Sequence, residues 1–324
     1  MRAVPTVLLS LWIASSAAAQ APPERTQFVL VSLDTTPSGR RAIEGTDFNR
    51  ILRATTPPRA EQPGSFTVFV ATGGLTLDPR TRSSDSVRAH LGTLPRNRPV
   101  MRYAEDLAHL EARAAAVRRM AELGIEIGSH AVRHEHGREW SRAQWQNEMR
   151  EHRTISERLG LPRPTGFRAP FLEHNPSMYD VLREQGYRYD VSRTGGNAWP
   201  SRDPDTGLWL FTMPSVHIEG FGRPALLFDD NLRRVLTRRA EEEGLEGGAR
   251  TRFMDSAFRR AVRAGFERRY RGNRAPFLIS GHGGFITPTV QFLREVCRRP
   301  HVRCASFSEA VDYMEAHPEL EGAE

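Results

Sequence analysis

The sequence of 324 residues contains no lysine, so arginine alone supplies its positive side-chain charges, and it contains only two cysteines. Two thiols cannot fill the four positions of a structural zinc site, which excludes a zinc site made of cysteines alone. No Ser/Gly-rich linker, internal repeat or low-complexity block divides the chain. Its length suits one large domain or two small ones. We therefore predict a single domain over residues 20–324.

No apolar run beyond the N-terminus is long enough to cross a bilayer. At the N-terminus, Arg2 precedes an apolar stretch at 4–14, and three alanines before Gln20 are typical of a signal-peptide cleavage site. This apolar stretch is too short for a comfortable membrane span. We expect a signal peptide over residues 1–19 and a secreted or periplasmic protein without a stable membrane span. An uncleaved N-terminal anchor is the alternative.

The chain is basic, with a formal net charge of +7 at pH 7. Export would separate it from nucleic acid, so we expect no nucleic-acid partner. Export would also place Cys297 and Cys304 in an oxidising compartment, where thiols form disulfides. Because six residues separate these cysteines, we predict a disulfide between them; two unpaired thiols are the alternative.

Short apolar stretches alternate along the chain with segments of helical periodicity. Strands are predicted at 28–33, 66–70, 125–127, 166–167, 187–191, 208–213 and 277–279. Helices are predicted at 105–123, 141–159, 176–185, 251–270, 287–297 and 307–315. This alternation predicts an α/β fold with a parallel sheet that closes into a (β/α) barrel. No G-x-G-x-x-G follows the first strand, which argues against a dinucleotide-binding sheet.

Ionisable residues stand at the ends of five predicted strands: Asp34, His130, Arg168, Asp190 and His282. In a (β/α) barrel the C-terminal ends of the strands face one mouth, where catalytic residues collect. We therefore expect these five side chains to meet, although they span most of the chain. One polar residue after a strand usually only begins a loop, so the hypothesis depends on the whole set.

His130 and His134 have the spacing H-x-x-x-H. The spacing places both imidazoles on one side of a helical turn, where they can share a metal ion. The pattern also occurs by chance on protein surfaces. Asp34 and His282, at other strand ends, favour the metal-site interpretation.

Five short motifs make the sequence resemble the polysaccharide deacetylases (carbohydrate esterase family 4, with the NodB-homology domain). The family has, in order, (T/S)-F-D-D-G, H-(S/T)-x-x-H, R-x-P-(Y/F), a fourth motif with an aspartate and a fifth with a histidine. The matching stretches here, in the same order, are S-L-D-T-T at 32–36, H-A-V-R-H at 130–134, R-A-P-F at 168–171, Y-D-V-S at 189–192 and S-G-H-G at 280–283. The resemblance implies a distorted (β/α) barrel of the polysaccharide deacetylase type. It also implies removal of N-acetyl or O-acetyl groups from an amino-sugar polysaccharide, such as an acetylated glucosamine polymer.

The resemblance further implies a role for each matching residue. His130 and His134 would hold a divalent metal ion, most often zinc, with cobalt, manganese or nickel also suitable. Asp34 would be the general base, and Arg168 would fix that carboxylate and keep it ionised. His282 would be the general acid.

Two positions depart from the family pattern. Thr35 stands where the family has a second aspartate, normally a metal ligand, and a hydroxyl is a weak ligand for zinc. The candidates for a replacement ligand are Asp34, His136, Asp229 and Asp230. The fourth motif matches only loosely; by it, Asp190 would orient or tune His282.

The chemistry of amide hydrolysis supports the same assignment. An amide is a poor electrophile, and its amine must be protonated before it can leave. A metal polarises the carbonyl and lowers the pKa of water. One carboxylate and one imidazole can then divide the proton transfers, and an imidazole suits the acid role because its pKa lies near neutral pH.

Two other functions remain open at this stage. A catalytically impaired deacetylase-like protein that binds an envelope glycan is favoured by Thr35 and disfavoured by the retention of Asp34, Arg168 and His282. A metal-dependent amidohydrolase of a small amide would differ in the width of its cleft. Among the tryptophans, Trp199 is predicted to lie in a loop, where it could form a sugar platform.

Overall fold

A computed structural model describes residues 25–39, 41–56, 63–77 and 103–323. The predicted signal peptide and its cleavage site before Gln20 lie outside the described residues. The strands are β1 Gln27–Asp34, β2 Thr67–Val70, β3 Glu126–Ser129, β4 Gly166–Phe167, β5 Tyr189–Thr194, β6 Ser201–Arg202, β7 Trp209–Met213, β8 Ser215–Val216, β9 Ala225–Leu226, β10 Phe277–Gly281 and β11 Val302–Ala305. The α-helices of these ranges are α1 Asp47–Thr55, α2 Leu107–Glu122, α3 Arg142–Arg158, α4 Pro176–Glu184, α5 Asp229–Glu242, α6 Gly247–Arg271, α7 Ile286–Val296 and α8 Phe307–Ala316.

The main sheet has the strand order β10-β1-β2-β3-β4-β5-β7-β6, with β11 also paired to β1. All of these pairs are parallel except β6 with β7. Among the described strands, the two ends of this order do not pair with each other, so the sheet is curled but open. The predicted parallel α/β sheet is confirmed, while hydrogen-bonded closure of the barrel is not seen in the described part of the chain.

The central strand β1 is buried along its whole length. Its side chains alternate between the two faces of the sheet. Val29 and Val31 pack with the surrounding helices, whereas Phe28 and Leu30 pack with aromatic side chains of the opposite face. By the same alternation, Ser32 and Asp34 follow Phe28 and Leu30 on the inner face. A strand buried on both faces therefore leads directly to a carboxylate at its C-terminal end.

Local signals in the sequence fix the helices that flank β3. Asp106 caps α2 by accepting a hydrogen bond from the His109 backbone N–H at 2.7 Å. Ser141 caps α3 in a capping box with Gln144. Gly124, with φ of 82°, follows the end of α2 in the left-handed region that glycine adopts without a Cβ penalty. These helix ends place β3 within two residues of its predicted bounds. The two histidines follow it in the chain.

Several elements were missed by the sequence analysis. The apolar residues that helix α5 buries are only Leu232, Leu236 and Ala240, and α1 is only nine residues long. Such narrow or short apolar stripes give a weak helical pattern. Strand β11 is also short, and its pairing with β1 becomes visible only in three dimensions.

The predicted disulfide is confirmed. It joins Cys297, directly after α7, to Cys304 in β11, with 5.6 Å between the Cα atoms. Both cysteines are buried, so the bridge fastens α7 to the strand that pairs with β1. In the described residues, no helix is both long and apolar enough to cross a membrane.

Helix α3 carries a buried histidine that makes stability depend on pH. Burial lowers the pKa of His152 to about 4, opposed only in part by a hydrogen bond to the Val70 backbone. In the unfolded chain the pKa returns to its ordinary value near 6.5. Between these two values the unfolded state binds the proton more readily, so stability is lost as the pH falls from 6.5 towards 4.

We expect His152→Gln to make the free energy of unfolding less sensitive to acid, because the variant lacks this proton linkage. Between pH 7 and pH 4.5, the loss of stability should be smaller than in the wild type by about 2 to 3 kcal/mol. Urea unfolding at both pH values measures this difference. His217→Gln, at an exposed position, is the matched control and should follow the wild type. An equal acid dependence of wild type and His152→Gln would contradict the prediction.

Candidate active site

The C-terminal ends of the strands surround a cleft of about 1450 Å³. Asp34, His130, His134 and His282 line it, as the sequence predicted for the strand ends. Arg168 is not among the lining residues and lies beneath the cleft floor, fully buried at 0% exposure. The cleft therefore brings together residues that are far apart in the chain. Directly below it, the hydroxyls of Ser32 and Ser280, 248 positions apart, are hydrogen-bonded to each other.

Asp34 and Arg168 form a buried ion pair. The Nη1 of Arg168 donates to Oδ1 of Asp34 at 2.7 Å. Its Nη2 donates to the hydroxyls of Ser32 at 2.8 Å and Ser280 at 3.1 Å. The guanidinium also lies over the Phe69 ring, 4.4 Å from the ring centroid. Because the partners come from several strands, Arg168 is fixed from more than one side and holds Oδ1 of Asp34, which leaves Oδ2 for other contacts.

His130 has a defined tautomer. Its Nδ1 lies 2.8 Å from the carbonyl oxygen of Arg168, and a carbonyl only accepts, so Nδ1 carries the hydrogen. Its Nε2 is then free of hydrogen and lies 3.9 Å from Oδ2 of Asp34. Burial lowers the pKa of His130 despite the opposing charge of Asp34. A neutral imidazole with its other N–H donated to a carbonyl is the usual arrangement of a metal-binding histidine.

His134 is the second neutral imidazole. Its ring centroid lies 4.9 Å from that of His130. Burial, together with the neighbouring His130, lowers the pKa of His134 to about 4. Its Nδ1 is buried and has no hydrogen-bond partner among the described residues. A buried nitrogen left without a partner is costly unless something binds it, so the pair fits a divalent cation.

Of the candidates for a further ligand, only Asp34 has a carboxylate within 4 Å of either histidine in the described part of the chain. Ligand atoms about 2.0 to 2.2 Å from a shared ion can be separated by about 4 Å at most. His136 instead stacks on Phe171, with 3.9 Å between ring centroids, and contacts Glu173. Thr35 lines the cleft, and its hydroxyl donates to the Thr36 carbonyl at 3.4 Å.

His282 is held by Asp229. The Nδ1 of His282 lies 3.2 Å from Oδ1 of Asp229, whose Oδ2 accepts hydrogen bonds from the backbone N–H groups of His282 and Gly284, each at 2.7 Å. A Cβ placed on Gly281 would lie 2.3 Å from Cγ of Asp229, so glycine is required there. Asp230 contributes a second carboxylate oxygen 3.3 Å from the same Nδ1.

Opposing effects set the charge of His282. Burial acts to lower its pKa, but the hydrogen bond to Asp229 and the charges of Asp34, Asp229 and Asp230 outweigh it, so the pKa is raised. The pKa of Asp229 is lowered although burial alone would raise it, because His282 and the backbone N–H groups stabilise the carboxylate. The pKa of His282 is thus raised, while the pKa values of His130 and His134 are lowered.

The structure does not bring Asp190 to His282. Strand β5 extends to Thr194, four residues beyond Asp190, so Asp190 lies near the start of the strand and not at its C-terminal end. Its carboxylate accepts hydrogen bonds from the backbone N–H of Ser192 at 2.9 Å and from its hydroxyl at 2.6 Å. Burial raises the pKa of Asp190 to about 6. The contact that the sequence analysis assigned to Asp190 is made by Asp229.

Two further sequence assignments change in three dimensions. Asp229 and Asp230 were considered as metal ligands. Among the described residues, they and His282 form the one group of three His, Cys, Asp or Glu residues whose ligand atoms all lie within 4.8 Å of one another. The hydrogen bonds of Asp229 go to His282 and its loop, which indicates an orienting carboxylate.

Trp199 is 2% exposed and donates to the Asn273 carbonyl at 2.9 Å, so it does not form a sugar platform.

Comparisons with known proteins agree with the fold and, over part of the chain, with the resemblance in sequence. Residues 97–189 match the family model described as polysaccharide deacetylase. A Mycobacterium smegmatis protein provisionally described as a polysaccharide deacetylase has a similar structure, with a TM-score of 0.54, 16% identity and coverage of 94% of this chain and 96% of that one. A Pseudomonas aeruginosa PAO1 protein with the same provisional description has a TM-score of 0.52, 15% identity and coverage of 90% and 93%.

Puue allantoinase is also similar, with a TM-score of 0.53, 15% identity and coverage of 92% of this chain and 95% of that one. No curated protein matches the chain. The resemblance to the polysaccharide deacetylases is confirmed in sequence over residues 97–189, and their (β/α)-barrel fold is confirmed over most of the chain. Together the match and the fold support a deacetylase.

We expect Asp229→Asn to lower the pKa of His282, because the hydrogen bond and charge that raise it are weakened while burial, which lowers it, remains. Titration of the labelled imidazole by NMR measures the shift. Asp230→Asn is the matched control and should shift the pKa less, because the Asp230 side chain is 60% exposed and water screens its charge. An unchanged pKa in Asp229→Asn would show that Asp229 does not set the charge of His282.

Proposed function

We propose that this chain, which resembles the polysaccharide deacetylases in sequence and fold, is a metal-dependent hydrolase that removes N-acetyl or O-acetyl groups from an amino-sugar polysaccharide. The observation that carries the proposal is the pairing of proton-transfer groups around one cleft. Asp34 is fixed by Arg168, His282 is fixed by Asp229, and two neutral histidines lie beside them.

Asp34 acts as the general base in this proposal. Its Oδ1 is occupied by Arg168, so Oδ2 is the atom that takes the proton from the attacking water. The buried guanidinium compensates the charge of the carboxylate and holds it by a short hydrogen bond. Arg168 does not line the cleft, so it positions the base without touching the substrate itself.

His282 acts as the general acid. Asp229 accepts from Nδ1, which leaves Nε2 as the atom that gives its proton to the departing amine nitrogen while the bond from the acyl carbon to nitrogen breaks. The pKa of His282 is raised by Asp229 and the other carboxylates against the effect of burial, so the imidazole retains its proton to a higher pH than an ordinary histidine does. An amine cannot leave as an anion, and this proton is what permits cleavage.

His130 and His134 would hold the metal ion, beside the carboxylate of the proposed base Asp34, whose Oδ2 lies 3.9 Å from Nε2 of His130. When bound, a divalent ion such as zinc supplies Lewis-acid chemistry, polarising the acyl carbonyl and making water acidic enough to deprotonate near neutral pH. Neutral imidazoles are the ligands this requires. Cobalt, manganese or nickel would suit the same nitrogen and oxygen donors.

The size of the cleft supports a polysaccharide as substrate over a small amide. Its volume of about 1450 Å³ exceeds the roughly 300 to 1,000 Å³ of a site for one small molecule. The glycan-binding alternative without catalysis is not favoured, because both proton-transfer groups keep their carboxylate or guanidinium partners. The presence of Thr35 in place of an aspartate leaves all of these contacts intact.

We also propose that the protein is exported. The support is the tripartite pattern of residues 1–19 together with the buried disulfide, since disulfides persist in oxidising compartments. Mass spectrometry of protein from the native host should find a mature chain that begins near Gln20. Recovery of chains that still begin at Met1 would contradict the proposal.

The proposed activity predicts that Asp34→Asn and His282→Ala each lower turnover of an acetylated glucosamine oligomer by at least about a hundredfold, the scale of losing a general base or acid. Release of acetate measures turnover, and circular dichroism checks that each variant is folded. Asp205→Asn and His217→Ala, at exposed positions outside the proposed machinery, are the matched controls and should keep wild-type turnover.

The two catalytic variants separate the possible outcomes. Near-wild-type turnover in either one would remove that residue from the mechanism. A wild-type protein that releases acetate from no amino-sugar oligomer, with divalent metal supplied, would contradict the function itself.

A further inference from the structure

The turn that carries His130 and His134 has an unfavourable backbone. Ala131 has φ of 60° and His134 has φ of 55°. Residues with a Cβ seldom adopt this left-handed region, because the Cβ lies too close to the following carbonyl oxygen. The two imidazoles lie close together only because the chain folds back in this way. Something in the surrounding structure must therefore hold the turn in place.

The carbonyl groups of the turn are held by the segment after β2. The Thr72 N–H donates to the Ala131 carbonyl at 3.1 Å, and the Gly73 N–H donates to the Val132 carbonyl at 3.0 Å. These bonds fix one side of the turn to the neighbouring strand connection. The N–H groups of Val132 and Arg133 need partners from elsewhere.

Glu148 of α3 supplies those partners. Its Oε1 accepts from the Val132 N–H at 2.7 Å and from the Arg133 N–H at 2.8 Å. Its Oε2 contacts the Arg133 guanidinium. The side chain of Glu148 is 1% exposed. One buried carboxylate thus joins two consecutive amides of the histidine turn, and the guanidinium compensates its charge.

Glu148 does not line the cleft, so it cannot act on a substrate directly. Glu151, one turn further along α3, also contacts Arg133 through its carboxylate, but it is 42% exposed and reaches neither amide. The two glutamates therefore share the same cationic partner and differ in their contact with the turn. Variants of the two glutamates can therefore distinguish the effect of holding the backbone from the effect of pairing with Arg133.

We infer that Glu148 is a positioning residue for the metal-binding histidines, which holds the strained turn so that His130 and His134 can bind one ion. The inference rests on the proposed function, because it assumes that these two histidines bind metal. Groups that orient metal ligands in this indirect way typically change metal affinity by about 10- to 100-fold when they are replaced.

The substitution Glu148→Gln keeps the shape of the side chain and removes its charge. The glutamine Oε1 could still accept from the amides, but its NH2 group would face the Arg133 guanidinium, which also only donates. In Glu148→Gln the histidine turn should therefore be held less firmly than in the wild type.

The test is a titration of the metal-free protein with zinc chloride, followed by calorimetry. We expect Glu148→Gln to weaken zinc binding by about tenfold or more, Glu151→Gln to stay within about twofold of the wild type, and His134→Ala to lose the site. Circular dichroism confirms that each variant is folded, and urea unfolding of the metal-free forms reports any general loss of stability. A merely structural role would lower the urea midpoint of Glu148→Gln without changing its zinc affinity.

The outcomes distinguish the two hypotheses. A wild type that binds no zinc, or a His134→Ala variant that binds it equally well, contradicts the proposed metal site. If those two results are as expected, wild-type affinity in Glu148→Gln, or equal weakening in both glutamate variants, overturns the role of Glu148. Should Glu148→Gln not fold, Glu148→Asp replaces it: one methylene fewer draws the carboxylate away from the amides, and unchanged zinc affinity there overturns the role as well.

Discussion

The arrangement of the cleft depends on the buried ion pair between Arg168 and Asp34. Two opposite charges removed from water are tolerable only when their geometry and remaining hydrogen bonds compensate the desolvation. Here the guanidinium also donates to two serine hydroxyls that come from β1 and β10. The backbone of Arg168 accepts from His130 through its carbonyl. One residue thus connects the proposed base, a proposed metal-binding histidine and three strands of the sheet.

Burial and charge compensation shift the pKa values of His130, His134 and His282 in different directions. His130 is buried, His134 is half-buried, and they lie near each other, so the pKa of each is lowered. His282 is more exposed and is in contact with two carboxylates, so its pKa is raised. The same side chain can therefore bind a metal at one wall of the cleft and donate a proton at another. Environment, and not residue type, divides these roles.

The strands carry the functional side chains, but helices hold several of them in place. Asp229 at the start of α5 accepts from the loop that contains His282. Glu148 in α3 accepts from the turn that contains the other two histidines. Both carboxylates bind backbone N–H groups, which fixes the loop itself and not only one side chain. The conformations at the mouth of the sheet are thus determined partly by residues that lie outside the cleft.

The amino-acid sequence alone predicted the strand ends and most of the residues at them, because hydrophobic periodicity and helix caps such as Ser141 are local signals. It located Asp34, His130, Arg168 and His282 at the sheet mouth and identified the cysteine pair. The fold, and no local pattern, brings Asp229 instead of Asp190 to His282, since that contact joins residues 53 positions apart, next to glycines that leave space for a carboxylate. It likewise decided the support of the histidine turn by Glu148, because a strained backbone and the amides that stabilise it depend on packing between distant elements, which no local pattern encodes.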